Sequence, residues 1–268
     1  MREVTIVSAL FNIEREGMDG RTWEEYLKWF DITLKLKCPM VLFITEDIRE
    51  FVESRRTQIP TEIIVQSVDD IPYYHLKDKI QSVLDSDEYI KKISDPERIE
   101  CKHALYSIIQ YSKFKWMKQA AEENPHGSEF FLWLDAGASR FFGDYDLSKE
   151  YPSQSAKESL LGIGESFLFQ MNCDYYPDLF NADKLPLEYL YDNRSYVLGS
   201  MFGAHKSSIP KLCDMVENIF VNEMIETGSV NNEQIALGYL VKKYSDDFAL
   251  YSRTNGKHLD IFSELGKQ

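Results

Sequence analysis

The stretch Phe130-Phe131-Leu132-Trp133-Leu134 is a run of five bulky apolar residues that stops on Asp135. A run that short, apolar at every position, suits a strand covered on both faces, as strands of parallel sheets are. Val4 to Leu10 and Met40 to Ile44 read the same way, and Glu62 to Gln66 adds a further strand. Helix signals lie between them. Thr22 followed by Glu25 is a capping-box pattern, and Trp23, Tyr26, Leu27, Phe30 and Leu34 recur on one helical face. The stretch after Thr45 reads as another helix. Strands alternating with helices predict an α/β chain with a mixed, mainly parallel sheet flanked by helices.

Residues 75 to 98 are charged and broken by Asp, Ser and Pro, which predicts short helices. A long amphipathic helix is expected from about Glu100 to Glu123. After Asp135, the segment GASRFFGDYD loses all periodicity and reads as a loop. The second half offers strand-like pieces at Ser166 to Met171 and Tyr196 to Phe202. Helices follow from about Ser208 to Glu226 and about Asn232 to Lys243, then a last strand at Phe248 to Tyr251 and a polar tail containing His258. With no internal repeat and no Gly/Ser linker, one domain spanning 1–268 is the simplest division.

Composition limits what such a chain can do. At 268 residues and 44% hydrophobic content it can bury a sizeable core. No window approaches the roughly 20 apolar residues of a membrane span, and the acidic opening segment is a poor signal peptide, so a soluble, cytoplasmic protein is expected. The net charge of −14 argues against a nucleic-acid partner, because phosphate backbones are bound through clustered Lys and Arg. An anionic ligand would need its charge offset locally, by a metal ion or a few placed cations. Cys38, Cys101, Cys173 and Cys213 are far apart and form no CxxC pair, which predicts reduced, mostly buried thiols.

Four places carry candidate chemistry. Ligands of open α/β sheets bind at the carboxyl ends of strands, so Asp135 is placed where a functional carboxylate belongs; the plainer reading is a turn cap beside Gly137. Arg140 is within reach of a phosphate there, or is merely solvated. Lys113, one helical turn from Trp116 and Met117, is expected to emerge beside a buried face and reach a phosphate by snorkelling, the alternative being an ordinary surface lysine. Glu233, in Asn231-Asn232-Glu233-Gln234, is either first-turn capping chemistry or a base or hydrogen-bond acceptor facing a substrate. His258 either completes a metal's coordination with Asp135 or lies in solvent. Nucleophile-elbow, Walker-loop and HExxH patterns are absent.

Several motifs in order resemble the HtrL/YibB (WlaTB-like) family of bacterial and viral proteins. They are Phe11-Asn12-Ile13-Glu14-Arg15, Gly20-Arg21-Thr22, Tyr26-Leu27, Met40-Val41-Leu42-Phe43, Ser112-Lys113-Phe114 with Trp116, and Trp133-Leu134-Asp135-Ala136-Gly137. That family is grouped with GT-A glycosyltransferases. The resemblance therefore implies a GT-A-like (Rossmann-like) fold, a UDP- or GDP-linked sugar donor, a glycan acceptor and a divalent cation, Mn²⁺ or Mg²⁺. It further implies a nucleotide-binding part over about 1–140 and an acceptor part over about 141–268. Phe11 would stack on the base, Arg15 and Arg21 would approach phosphate or base edges, Lys113 and Arg140 would balance phosphate charge, and Glu233 would face the acceptor. Asp135 and His258 would hold the metal. GT-A enzymes carry a DxD motif after the central strand, whereas this chain reads Asp-Ala-Gly, a departure the family shares. Two rivals stay open: a non-catalytic module that binds a sugar nucleotide or a partner, and a nucleotidyl- or phosphoryl-transferase. The lack of a Gly-rich basic loop after the first strand counts against the latter.

Overall fold

The apolar runs become strands β1 (Val4–Leu10), β2 (Met40–Ile44), β3 (Thr61–Val65), β4 (Phe130–Leu134), β5 (Phe167–Met171), β6 (Val197–His205) and β7 (Phe248–Tyr251). They form one sheet in the order β3-β2-β1-β4-β6-β5-β7. The computed structural model describes residues 4–172, 176–252 and 258–267. β6 pairs antiparallel with both β4 and β5, while the other pairings are parallel, so β6 alone runs against the rest. The fold is thus α/β with a mixed, mainly parallel sheet, and strands from both halves of the chain share it.

Helices cover both faces, because alternate residues of each buried strand point to opposite sides. Val7, Phe43, Phe131, Trp133, Phe169 and Phe202 enter one hydrophobic cluster, and Ile6, Leu42, Leu132, Leu134, Leu168 and Met201 enter the other. The helices are α1 (Glu16–Asp19), α2 (Trp23–Thr33), α3 (Arg49–Arg55), α4 (Lys77–Leu84), α5 (Asp87–Lys92), α6 (Ala104–Glu123), α7 (Gln154–Gly162), α8 (Pro177–Asn181), α9 (Ile209–Glu217), α10 (Glu233–Lys243) and α11 (Asp260–Leu265). On the first face α6 supplies Tyr111, Phe114 and Trp116; on the second, α2 supplies Phe30. The Thr22 capping box forms: the hydroxyl accepts from the Glu25 amide at 3.1 Å, and the Glu25 carboxylate accepts from the Thr22 amide at 2.9 Å.

Three expectations need correction. The segment after Asp135, expected as a loop throughout, opens as a 3-10 helix, Ala136–Phe141, packed on α2, and only residues 142–146 are without helix. The Thr33 hydroxyl donates to the Ala136 carbonyl at 3.1 Å, and the Ser139 hydroxyl donates to the Trp29 carbonyl at 2.7 Å. Six residues wound at three per turn leave no apolar period to read. The tail is not polar throughout: α11 buries Ile261, Phe262 and Leu265, and Phe262 stacks on Phe142 at 3.8 Å and Tyr151 at 4.5 Å. The helix expected to end near Glu226 changes pitch, with α9 continuing as π-helical turns over Asn218–Ile225. Cys38, Cys101 and Cys213 are free and buried, whereas Cys173 lies outside the described residues. No helix among the described residues is long and apolar enough to cross a membrane.

Gly203 of β6 faces Leu132 of β4, and a β-carbon there would come within 2.6 Å of the Leu132 side chain and 2.8 Å of the Phe131 carbonyl. Gly203→Ala therefore overpacks the central pairing and is expected to lower unfolding free energy by about 1–3 kcal/mol, read from urea denaturation midpoints.

Candidate active site

The chain lays down β1, β2 and β3 outward on one side, then returns with β4 on the other side of β1. Loops leaving the carboxyl ends of β1 and β4 consequently diverge, which is where open α/β sheets bind ligands. A cleft of about 340 Å³ lies there. Phe11, Arg15 and Arg21 line it from the segment after β1; Asp135, Gly137 and Arg140 from the segment after β4; and Tyr106, Gln110 and Lys113 from α6.

Strand parity decides where Asp135 points. Phe131 and Trp133 face α6, and Asp135, two residues further on, keeps to that side. Its Oδ1 accepts a hydrogen bond from the Trp133 indole Nε1 at 2.7 Å and pairs with Lys113 Nζ at 2.9 Å. Lys113 Nζ also lies 2.7 Å from Glu233 Oε1 and 3.3 Å from the Gly199 carbonyl of β6. The side chains of Lys113 and Glu233 are each 2% exposed, and that of Asp135 35%. An ammonium has three N–H groups, and three acceptors surround this one. Burial works against the Lys113 charge, yet the Asp135 and Glu233 carboxylates outweigh it and hold the group above its ordinary 10.5. Burial pushes the Glu233 carboxyl above its ordinary 4.5, Lys113 pulls it back, and Asp135 adds to the rise.

The anticipated residues fall into three groups. Asp135, Lys113, Arg15, Arg21, Arg140 and Phe11 all line the one cleft. Lys113 is buried, contrary to a snorkelling surface cation, and its protons point at protein acceptors. Phe11 stacks on Trp116, with centroids 5.3 Å apart and planes 7° apart. Arg15 is engaged: Asp19 pairs with it, Tyr26 Oη accepts from its Nη1 at 2.7 Å, and its guanidinium lies 5.0 Å from the Tyr106 ring. Burial opposes its charge, but Asp19 and the two phenols carry its pKa upward. Glu233 stands behind Lys113 and is not among the cleft's lining residues, so in this geometry it faces the ammonium instead of an acceptor. Asn232 caps α10, its Oδ1 accepting from the Gln234 and Ile235 amides. His258 Nε2 lies 3.2 Å from the Ser200 hydroxyl, and its ring packs on Phe141 at 4.5 Å. Ser200 also accepts the Asp135 amide at its carbonyl, so the imidazole is a neighbour of the site without lining the cleft.

The donor set is a poor fit to a hard divalent cation. Among the described residues, no three His, Cys, Asp or Glu side chains converge. Mg²⁺-type sites want free carboxylate oxygens, and Asp135 Oδ1 already serves an ammonium and an indole. The second acidic position of a DxD motif is Gly137, where a β-carbon would sit 3.2 Å from Trp29 Cε3 and 3.5 Å from Tyr26 Cε1. A carboxylate at 137 would point into α2.

The family described as "Bacterial protein of unknown function (HtrL_YibB)" matches residues 2–265, nearly the whole chain. The chain belongs to the HtrL_YibB family. No curated protein matches it. Among solved structures it is similar to mouse xyloside xylosyltransferase 1 in its apo form, at 11% identity and a TM-score of 0.46, covering 93% of this chain and 84% of the mouse one.

Tyr106 and Gln110 escaped the sequence reading of this HtrL_YibB chain, and Gly199 stood out there only in a loose stretch of family resemblance, with no role. Tyr106, Gln110 and Lys113 stand at i, i+4 and i+7 on α6, so the helical period was a usable signal. For the part Gly199 plays there was no local signal; a β-carbon there would collide with the Glu233 carboxylate, which only the fold reveals.

Lys113→Met strands the buried Glu233 carboxylate, and a loss of about 3–5 kcal/mol in urea unfolding is expected, with part recovered in Lys113→Met/Glu233→Leu. The pH dependence has a definite sign. Because the folded state holds the Lys113 proton more tightly than the unfolded chain, this contribution is complete below 10.5 and lost as pH rises through the folded value. The stability gap between wild type and Lys113→Met should therefore narrow when unfolding is followed from pH 8 into the alkaline range.

Proposed function

We propose that this chain is a glycosyltransferase that moves a sugar from a nucleoside diphosphate to the hydroxyl of a glycan acceptor. The observation that carries the reading is the cleft at the carboxyl ends of β1 and β4, with a pinned carboxylate, Asp135, at its floor and arginines at its rim. Its volume is in the range of small-ligand sites. The sequence resemblance to GT-A-type proteins supplies the class of reaction.

In that reading the bond between the anomeric carbon and the diphosphate oxygen breaks, and its electron pair leaves with the nucleoside diphosphate. The acceptor oxygen forms the new bond, and its proton passes to the departing diphosphate, the base that the reaction itself supplies. Trp133 and Lys113 fix Asp135 through Oδ1, leaving Oδ2 as the oxygen that receives hydrogen bonds from hydroxyls of the bound sugar or ribose. Charge gathers on the departing phosphates, and a preorganised cationic rim stabilises that charge without reorganising during the reaction. Glu233 is a positioning residue, acting on the substrate through Lys113.

The test is product analysis with a panel of nucleotide sugars. Release of a nucleoside diphosphate from one of them is expected, falling by about 10²–10³-fold in Asp135→Asn, the size of effect seen when one electrostatic partner of a transition state is removed. Pyrophosphate release from nucleoside triphosphates, with no cleavage of any nucleotide sugar, would replace this reading with nucleotidyl transfer.

A further inference from the structure

The cleft already contains fixed positive charge in the places where a sugar nucleotide would need it. Arg140, on the 3-10 helix after β4, lays its guanidinium over the rings of Trp29 at 4.7 Å and Phe141 at 4.9 Å. Among the described residues it has no carboxylate within ion-pair distance. Burial lowers its pKa, and the charge of Arg21 lowers it further. Arg21, from the segment after β1, approaches a carboxylate among the described residues at Asp19, 4.0 Å away. Two guanidiniums that repel each other in one cleft, with Arg140 unpaired among the described residues and Asp135 committed through Oδ1 to Lys113 and Trp133, favour an anion carrying more than one charge, although Glu14 and Glu16 also line the cleft. On the floor, the cation partnering Asp135 is the Lys113 ammonium, held by Glu233 and Gly199 as well. A divalent ion drawn to Asp135 would lie beside that fixed charge, and the side that could supply a second carboxylate is closed by Trp29 against Gly137.

We propose that this cleft binds the diphosphate of its sugar donor without a divalent metal ion, Arg21 and Arg140 holding the phosphates from the segments after β1 and β4 while Lys113 takes the place of the cation at Asp135. The proposal rests on the reading of the cleft as a sugar-nucleotide site. It departs from the Mn²⁺ or Mg²⁺ that the family resemblance implies.

Calorimetric titration of the full chain with UDP, GDP, ADP, CDP and dTDP, in excess EDTA and again in excess Mn²⁺, tests it. At least one nucleotide is expected to bind in EDTA with a Kd within about threefold of its value in Mn²⁺. Arg21→Ala/Arg140→Ala should weaken binding in EDTA by about tenfold or more, and Arg140→Lys by less, since it keeps the charge and loses the fork. Neither side chain belongs to the two hydrophobic clusters, so thermal melting of these variants should stay close to wild type, with a small drop from the ring contacts that Arg140→Ala loses. Binding that appears only with Mn²⁺ overturns the proposal and leaves the sugar-nucleotide reading standing. Metal-free binding unchanged in the double variant also overturns it. No binding of any nucleotide in either buffer overturns the sugar-nucleotide reading and the proposal together.

Discussion

An ammonium removed from water must be compensated on every side, and in this chain that requirement ties distant segments together. Lys113 on α6 is met by Asp135 from the end of β4, by Glu233 from the first turn of α10 and by the Gly199 carbonyl of β6. Losing any one acceptor leaves a buried charge short of partners, a cost of several kcal/mol before relaxation. Four elements must therefore arrive in register before the ion cluster forms. Around it runs a row of parallel rings, from Phe11 through Trp116 and Trp133 to Phe202 and Phe169, with adjacent planes within 19°. The rings leave the ammonium little room to tilt, and Asp135 inherits its orientation from that stiffness.

The electrostatics of the molecule work on two scales. At long range a net charge of −14 repels anions. At short range the cleft gathers Arg15, Arg21, Arg140 and Lys113 within low-dielectric walls, where their fields are least screened.

Much of the scaffold was legible because its signals are local. β1, β2, β4 and β7 begin and end where their apolar runs do, the Thr22 capping box starts α2, and Asp135 could be placed at a strand end because Phe130 to Leu134 has no other reading. The parts of the site that were not legible depend on contacts across long sequence separations. Burial of Lys113 depends on Glu233, 120 residues later, and neither residue announces the other. Glu233 resembled an ordinary first-turn acid because it occupies that position as well. Gly137 read as a missing ligand, and only its distance to Trp29 shows why an acidic side chain there would face away from the cleft. The tail misled because its polar first half obscured the apolar side of α11.

The reversed direction of β6 has a consequence for how such a site can diversify. In an all-parallel sheet every strand offers its final residues to the ligand-binding end, whereas β6 offers its first ones: Ser200 lies beside Asp135, and the strand runs away from the cleft toward His205. The connection entering β6, residues 192–196, thus emerges at the same rim as the loops leaving β1 and β4. Changes in that connection would alter the surface beside the cleft, whose own lining comes from β1, α2, α6, β4 and the segments after β1 and β4.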